Sequence, residues 1–419
     1  MKLGTILAFL YCWFSPLFCA VDVYVFNVGQ GNCIWVSMDV VSGENTGKKK
    51  VLIVDCGLRD GKGWMNNKTF TANLKDIGLC ENVYSYALWI THLHADHFSL
   101  LWQNIPSSRR SILAEVGYVF VGVGGGWANE SFDYWPTSCL PDYARNAKRA
   151  IEKGSADVQE KWEEYQFRKS NMVESPYGQI CAYIKRKKDG NACFPIKVWD
   201  YTPEEKQNLQ GALNNFTAET DCNLRPLLPD PEKRYNDGNE PTNPNGQSLA
   251  LALEYAGGRV IFPGDAPGDL FLALSVEDQG HVSRADVLIA PHHGSVNNKE
   301  DLWETYDVNS GIRKRYCTIV SSIPVAKDLI PNKEFMSGRP SRAAFVAAEP
   351  HLILVYDQVR NRNRYWRTSQ TKFSMDENVC YYRCHIGGDL QLRANERVIG
   401  IGSREKIPEI DRWESDWED

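Results

Sequence analysis

The feature that most constrains this chain is a dense group of histidines that follows an apolar run. The segment YALWI, residues 86–90, has the composition of a buried strand, and His92, His94, Asp96 and His97 come directly after it. Three imidazoles and one carboxylate within six residues offer enough nitrogen and oxygen donors for a borderline divalent ion such as zinc or manganese. Hydrogen bonding in a polar loop explains a lone histidine but seldom needs this density. The pattern predicts a metal site.

Further ligands must come from other parts of the chain, because donors on one short loop cannot surround an ion. Two candidates also follow strand-like runs. Asp265 ends the run RVIFPGD, and His292 and His293 follow the run ADVLIAP. We therefore expect three loops at strand ends to converge on one site.

Apolar runs and helical stretches alternate along the chain, which favours a layered α/β fold. The runs VDVYVFNV, NCIWVSM and VLIVDCG predict early strands, and SLALALEY with RVIFPGD predicts a hairpin around a Gly257-Gly258 turn. Residues 127–240 contain a charged helical stretch and a Pro-rich exit, and they are interpreted as an insertion or lid. We expect one domain over residues 21–402 and an acidic tail over residues 403–419.

The first twenty residues have the layout of a secretory signal peptide: Lys2, the apolar run LGTILAFLYCWF, then Pro16. No later run reaches the ~18 apolar residues that a membrane helix needs. The sequence therefore predicts a signal peptide over residues 1–20, with no stable membrane association after its removal. The expected location is outside the cell or in the lumen of the secretory pathway, which in a bacterium means the periplasm.

Cysteines and glycosylation motifs agree with that compartment. Of twelve cysteines, ten lie beyond the signal segment, an even number that favours disulfide bonds. Asn67, Asn129 and Asn215 begin acceptor motifs for N-glycosylation. The formal net charge of −6 excludes a general attraction to nucleic acid, so any contact with phosphate would have to be local.

In chain order, the segments FNVGQGN, VLIVDCG, THLHADH, NPNGQSLALALEY, FPGDA and PHHGS resemble motifs of the metallo-β-lactamase superfamily. Within it they are most similar to the soluble hydrolase domain of the ComEC-type DNA-uptake competence proteins. Weaker matches follow in IVSS, SGRPS and WRTS, so the resemblance extends over residues ~21–390. It implies a four-layer αββα sandwich with a large insertion.

The resemblance also implies one or two divalent ions, zinc or manganese. Carried over position by position, it implies these metal ligands: His92, His94, Asp96, His97, Asp265 and His292. Asp265 would bridge the ions, with His92 and His94 at the first and the other ligands at the second. Asp55 matches an acidic residue that orients a ligand histidine from behind. The family's usual third-motif histidine is missing, because no histidine lies between His97 and His281.

Three residues are candidates for catalysis. Asp96 would align a metal-bound hydroxide, and His293 would either donate to the substrate oxyanion or serve as a structural histidine beneath the site. Arg339 replaces the histidine of the family's G-H-P-S loop, and its guanidinium suits a phosphate or carboxylate. Residues 360–367 interleave arginines with aromatics, as in a single-stranded nucleic-acid groove or a solvated hairpin edge.

The sequence therefore predicts a secreted metal-dependent hydrolase, a phosphodiesterase or nuclease that uses a metal-bound hydroxide. Its expected partner is an anionic substrate: DNA, RNA or a small phosphodiester. One alternative keeps the metals but hydrolyses a small ester, lactone or amide. Another is a non-catalytic extracellular metal-binding protein, which the missing histidine and the amides at Asn27 and Asn32 favour. No pattern in the chain indicates an oligomeric state.

Overall fold

The computed structural model shows a mixed α/β protein with two large sheets and several helices. It describes residues 20–28, 31–58, 67–108, 110–123, 176–233, 244–283, 285–294, 317–320, 352–355, 363–366, 372–375, 380–386, 390–394 and 397–402. The expected signal peptide, apart from Ala20, and the expected acidic tail lie outside these residues. So does Arg339.

The elements are as follows. The strands are β1 Val21–Phe26, β2 Cys33–Asp39, β3 Lys49–Cys56, β4 Val83–Ile90, β5 Val116–Val123, β6 Cys193–Lys197, β7 Asn223–Leu227, β8 Ala250–Tyr255, β9 Gly258–Phe262, β10 Val287–Ile289, β11 Cys317–Val320, β12 Leu352–Val355, β13 Asn363–Trp366, β14 Lys372–Met375, β15 Tyr381–Ile386, β16 Leu390–Ala394 and β17 Arg397–Gly402. The helices are α1 Asn67–Asp76, α2 Ile112–Glu115, α3 Pro176–Asp189, α4 Pro203–Thr217, α5 Gly268–Leu272 and α6 Val276–Ser283.

Within the described residues, the first sheet has nine strands in the order β17-β16-β15-β1-β2-β3-β4-β5-β6. Strands β3 to β6 are parallel to one another, whereas β1 pairs antiparallel with both β2 and β15. The second sheet has eight strands in the order β14-β13-β12-β11-β10-β9-β8-β7, and β9 to β12 are parallel. The first sheet thus has an antiparallel half and a parallel half that ends at β6, whereas the second has a parallel centre and antiparallel margins.

The hairpin predicted from SLALALEY and RVIFPGD is confirmed as the antiparallel pair β8–β9. Its turn differs from the expectation. Tyr255 pairs with Gly258, so the two turn residues are Ala256 and Gly257 rather than the two glycines. Both have positive φ, 46° and 80°, as the tight turn of a twisted two-residue hairpin requires.

The first sheet is buried on both faces because its strands alternate between two cores. Val23 and Val25 of β1 belong to the same buried cluster as Leu251 of the second sheet. Tyr24 and Phe26 point the other way, where the Phe26 ring meets Phe70 of α1 edge-on with centroids 5.4 Å apart. The continuous apolar runs of β3 and β4 follow from this double burial.

The region interpreted as an insertion contributes to both sheets. Residues 176–233 contain α3, β6, α4 and β7; β6 extends the first sheet beside β5, and β7 extends the second beside β8. Helix α4 begins at a capping box in which Thr202 and Glu205 satisfy each other's backbone amides. The charged helical stretch at residues 143–170 lies outside the described residues, and the boundaries of the insertion stay a prediction.

Two compartment markers can be located. No disulfide is formed among the eight cysteines whose side chains the structure describes. Cys33 and Cys56 nevertheless lie opposite each other on β2 and β3, with their Sγ atoms 3.2 Å apart. Asn215 of the third glycosylation motif is exposed on α4. Of the described helices, none combines the length and apolarity needed to cross a bilayer.

Candidate metal centre

The candidate site lies where strands of both sheets end. His92 follows β4, and Asp55 is the second-last residue of its parallel neighbour β3. Asp265 follows β9, and His292 and His293 follow β10, which is parallel to β9. Carboxyl ends of parallel strands meet at one sheet edge, where open α/β sheets place their ligands. The convergence of the three loops is therefore a consequence of strand direction.

One oxygen of Asp265 faces a first group of histidines. Its Oδ2 lies 3.9 Å from Nε2 of His92 and 3.8 Å from Nε2 of His292. Nε2 of His92 is in turn 2.9 Å from Nδ1 of His94. We call His92, His94, His292 and Oδ2 of Asp265 the first donor group.

The other oxygen of Asp265 faces a second group. Its Oδ1 lies 3.3 Å from Nε2 of His97 and 3.6 Å from Nε2 of His293. Nε2 of His293 is also 3.8 Å from Oδ2 of Asp96. We call Asp96, His97, His293 and Oδ1 of Asp265 the second donor group. The sequence predicted a catalytic or structural role for His293. In the structure its Nε2 lies beside the carboxylates of Asp96 and Asp265.

Asp55 holds the second donor group from behind. Its Oδ2 accepts hydrogen bonds from Nδ1 of His97 at 2.8 Å, from the Thr91 hydroxyl at 2.8 Å and from the Asn32 amide at 3.2 Å. Its Oδ1 accepts from the Thr91 backbone N–H at 2.7 Å. With Nδ1 of His97 engaged in this way, Nε2 is the nitrogen left for an ion. The geometry agrees with the orienting role predicted for Asp55.

Three polar residues at the site were not singled out from the sequence. The hydroxyls of Thr91 and Ser248 each lie 3.2 Å from Nδ1 of His92, and Nδ2 of Asn245 lies 3.0 Å from Nε2 of His292. The available signal was that each lies in a recognised motif: Thr91 opens THLHADH, and Asn245 and Ser248 lie in NPNGQS. Their contacts depend on tertiary structure.

Electrostatics tie the two donor groups together. Burial opposes the charged form of His97, but the carboxylates of Asp265 and Asp55 outweigh it and raise the pKa of His97 well above its usual value. Burial also opposes ionisation of Asp265, yet His97, His293 and His292 hold the pKa of Asp265 well below its usual value. Burial, with help from His97 and His94, lowers the pKa of His92. The site thus carries an ionised carboxylate among imidazoles of different charge.

The donors fit a divalent metal. Nε2 of His97 and Oδ1 of Asp265 are buried and form no well-made hydrogen bond, although buried polar atoms are normally satisfied. Two atoms that share one ion at ~2.1 Å cannot be more than about 4.2 Å apart, and the separations within each donor group given above meet that limit. His92, His97 and Asp265 form one compact set, and Asp96, His97 and His293 form another. The structure therefore contains buried His/Asp groupings able to hold a metal ion.

Part of the sequence-predicted site cannot be placed. Arg339 lies outside the described residues, as do Arg360, Arg362 and Arg367. Arg364 lies on β13, which pairs with the edge strand β14 of the second sheet. The described arginine is therefore on a hairpin, and both interpretations of residues 360–367 stay predictions.

Comparison with known proteins adds no family. No family model matches this chain, and no curated protein is detectably similar to it in sequence. The resemblance to the metallo-β-lactamase superfamily consists of short segments in a fixed order. Function is therefore inferred from the geometry of the site.

Proposed function

We propose that this protein is a divalent-metal-dependent hydrolase with the four-layer αββα metallo-β-lactamase fold, and that it cleaves phosphodiesters. One observation carries the proposal: the two carboxylate oxygens of Asp265 face different histidine nitrogens at 3.3–3.9 Å, Oδ2 those of His92 and His292 and Oδ1 those of His97 and His293. A carboxylate with this arrangement suits two neighbouring divalent ions. The resemblance in motif order supports the fold.

The exposure of the donors indicates the direction from which substrate approaches. His92, His97 and Asp265 are buried, whereas the side chains of Asp96 and His292 are 18% and 19% exposed. The partly exposed residues form a rim over a buried floor. A substrate therefore meets Asp96 and His292 before it reaches the deeper histidines.

Divalent ions bound at the floor would lower the pKa of a coordinated water and offset the negative charge that develops on a phosphoryl oxygen. The protein's own residues orient this chemistry. Asp55 and Thr91 fix the ring of His97, and Ser248 fixes that of His92. The carboxylate of Asp96, at the rim, would align the attacking water and accept its proton.

The preference for phosphodiesters rests on the sequence. Arg339 replaces the histidine in a loop that resembles the family's G-H-P-S loop, and a guanidinium binds phosphate through two parallel hydrogen bonds. The proposed substrates are DNA, RNA or a small phosphodiester, in the extracellular or luminal space that the N-terminal segment predicts. An overall negative charge makes the substrate contact a local one.

The test uses purified full-length protein, loaded with zinc or manganese. It is incubated with bis(p-nitrophenyl) phosphate, single- and double-stranded DNA, RNA, and a panel of esters, lactones and amides. We expect metal-dependent cleavage of phosphodiesters, reduced by at least ~100-fold in His94→Ala, as expected when a metal ligand is removed. His385→Ala, a histidine on β15 outside the site, is the control.

The other outcomes assign the alternatives. Turnover of esters, lactones or amides alone, still lost in His94→Ala, would replace the phosphodiester assignment with small-molecule hydrolysis at the same site. Stoichiometric metal binding with no turnover on any substrate would identify a non-catalytic metal-binding protein. Phosphodiester cleavage that survives in His94→Ala would refute the proposed site.

A further inference from the structure

We propose that the adjacent histidines His292 and His293 serve different ions: His292 completes the first donor group, and His293 completes the second. This inference rests on the proposed metal centre. It differs from the assignment that the motif resemblance implies, in which His292 joins Asp96 and His97. It also supplies the ligand that the first ion lacks, because no histidine lies between His97 and His281.

The distances divide the histidine pair between the two oxygens of one carboxylate. Nε2 of His292 is nearest Oδ2 of Asp265, at 3.8 Å, the same oxygen that faces His92. Nε2 of His293 is nearest Oδ1, at 3.6 Å, the oxygen that faces His97. His293 alone of the two is also grouped with Asp96. The two histidines therefore straddle the bridging position.

The backbone of His292 and His293 is held in the strained left-handed conformation. His292 and His293 have φ/ψ of 46°/44° and 55°/23°, so two consecutive non-glycine residues are left-handed. L-residues rarely adopt this conformation, and such strain persists where surrounding structure imposes it. The backbone N–H of His292 donates to the carbonyl of Gly264 at 3.0 Å, which ties this turn to the one that carries Asp265.

The turn separates the two rings without moving either out of the site. Their centroids are 6.2 Å apart with an interplanar angle of 60°, so the two Nε2 atoms reach different positions. Nε2 of His292 lies 3.0 Å from the side-chain nitrogen of Asn245, a contact that orients the His292 ring.

The test counts zinc ions per folded chain in double variants, after gel filtration and elemental analysis. His94→Asn removes one ligand of the first ion and should reduce the stoichiometry from two to one. Adding His292→Asn should leave one ion bound, because both substitutions affect the same ion. Adding His293→Asn instead should leave none. Asparagine tolerates left-handed backbone, so both variants retain the turn, and His385→Asn is the control that keeps two ions.

The results separate this inference from the proposed function. A wild-type protein with two zinc ions and the opposite pattern, none in His94→Asn/His292→Asn and one in His94→Asn/His293→Asn, would overturn the division of the histidines but not the metal centre. Loss of both ions in both double variants would also overturn the division of the histidines. A wild-type protein that binds a single ion would overturn the division of the histidines alone, and one that binds no ion would overturn the proposed metal centre as well. Phosphodiester cleavage is scored separately.

A second measurement needs no substitution and so does not depend on how well the variants fold. Anomalous scattering from wild-type crystals grown with zinc should show two peaks. One should lie within bonding distance of His94 and His292, and the other within bonding distance of Asp96 and His293. A peak shared by His292 and Asp96 would refute the division.

Discussion

Asp55 is the residue on which the geometry of the donor groups most depends. It is fully buried and accepts from three different side chains and one backbone amide. Its φ of 52° lies in the left-handed region, which aspartate tolerates better than most residues. A buried carboxylate with this many donors fixes the His97 ring and keeps its Nε2 directed into the candidate metal centre.

We expect Asp55→Asn to weaken zinc binding by about 10- to 100-fold, the usual effect of removing a carboxylate that supports a ligand histidine. Asparagine also tolerates positive φ, so the backbone should be retained. Competition with a chromophoric chelator measures the affinity. Asp200→Asn, at a side chain that is 59% exposed and pairs only with Lys197 among the described ion pairs, is the control. Equal affinities in the two variants would contradict the role of Asp55.

At the residue scale the sequence singled out the clustered histidines and aspartates but not the side chains that contact them. His92, His94, Asp96 and His97 are recognisable because their spacing is dense, and Asp265 because it ends an apolar run. The neighbourhoods of Thr91, Ser248 and Asn245 depend on contacts between segments far apart in the chain. Local sequence pattern carries no information on such contacts. For the same reason the sequence did not predict which oxygen of Asp265 each of His292 and His293 faces.

At the scale of elements, the site depends on turns that place side chains beyond strand ends. Gly264, between β9 and Asp265, has φ of +59° and lies against Thr91. A Cβ on Gly264 would lie 2.5 Å from the Cβ of Thr91, a distance that real side chains do not adopt. The turn after β9 and the loop after β4 can approach this closely only because residue 264 is glycine.

Gly264→Ala should therefore lower the free energy of unfolding by about 2–5 kcal/mol, since left-handed strain and overpacking add together. Urea denaturation followed by circular dichroism measures the change. Gly211→Ala on α4 is the matched control, because a Cβ there meets open space and helix propensity should raise stability by about 0.5–1 kcal/mol. A Gly264→Ala protein as stable as the wild type would refute the close approach.

The strands were predictable because strands buried on both faces have continuous apolar sequences. The runs for β1 to β4 and β8 to β10 are confirmed within a few residues. Turn chemistry was less predictable. The two adjacent glycines were expected to form the hairpin turn, because glycine adopts left-handed backbone most easily. The register of β8 and β9 instead places Ala256 at a left-handed turn position. The short β6 and β7 lie in the region interpreted as an insertion, where no long apolar run marks them.

At the scale of the whole molecule, the first sheet depends on the pairing of β1 with β15, two strands from distant parts of the chain. Asp22 on β1 accepts two hydrogen bonds of 2.9 Å from the guanidinium of Arg383 on β15, and its Oδ1 is 2.9 Å from Nδ1 of His385. Burial opposes ionisation of Asp22, but His385 and Arg383 outweigh it and lower the pKa of Asp22. The ion pair thus joins the two strands with an ionised carboxylate.

Because the folded-state pKa of Asp22 is depressed, its stabilisation is fully present above the unfolded value of about 3.8 and is lost as pH falls through the lower folded value. Asp22→Asn should lower the free energy of unfolding by about 1–3 kcal/mol at pH 7. The difference from wild type should shrink below about pH 4. Urea denaturation across pH measures it, with Asp200→Asn as control. A difference independent of pH would contradict the ionic origin.

The fold class was predictable from the alternation of strands and helices, and a mixed α/β protein is confirmed. The strand order was not predictable, because the pairing of β1 with β15 leaves no trace in either segment alone. The four-layer sandwich and the metallo-β-lactamase assignment stay predictions. They depend on how sheets and helices stack and on motifs that are each only a few residues long.

The place of β1 between β2 and β15 has a consequence for biosynthesis. Asp22 and Arg383 are separated by 361 positions, so a ribosome releases β1 long before its second partner exists. Until then one edge of the nascent sheet has unpaired amides and carbonyls, which recruit strands from neighbouring chains. Premature termination after β14 would make that exposure permanent. Such a product would aggregate rather than act as a shortened protein, although it retains every donor of the candidate metal centre.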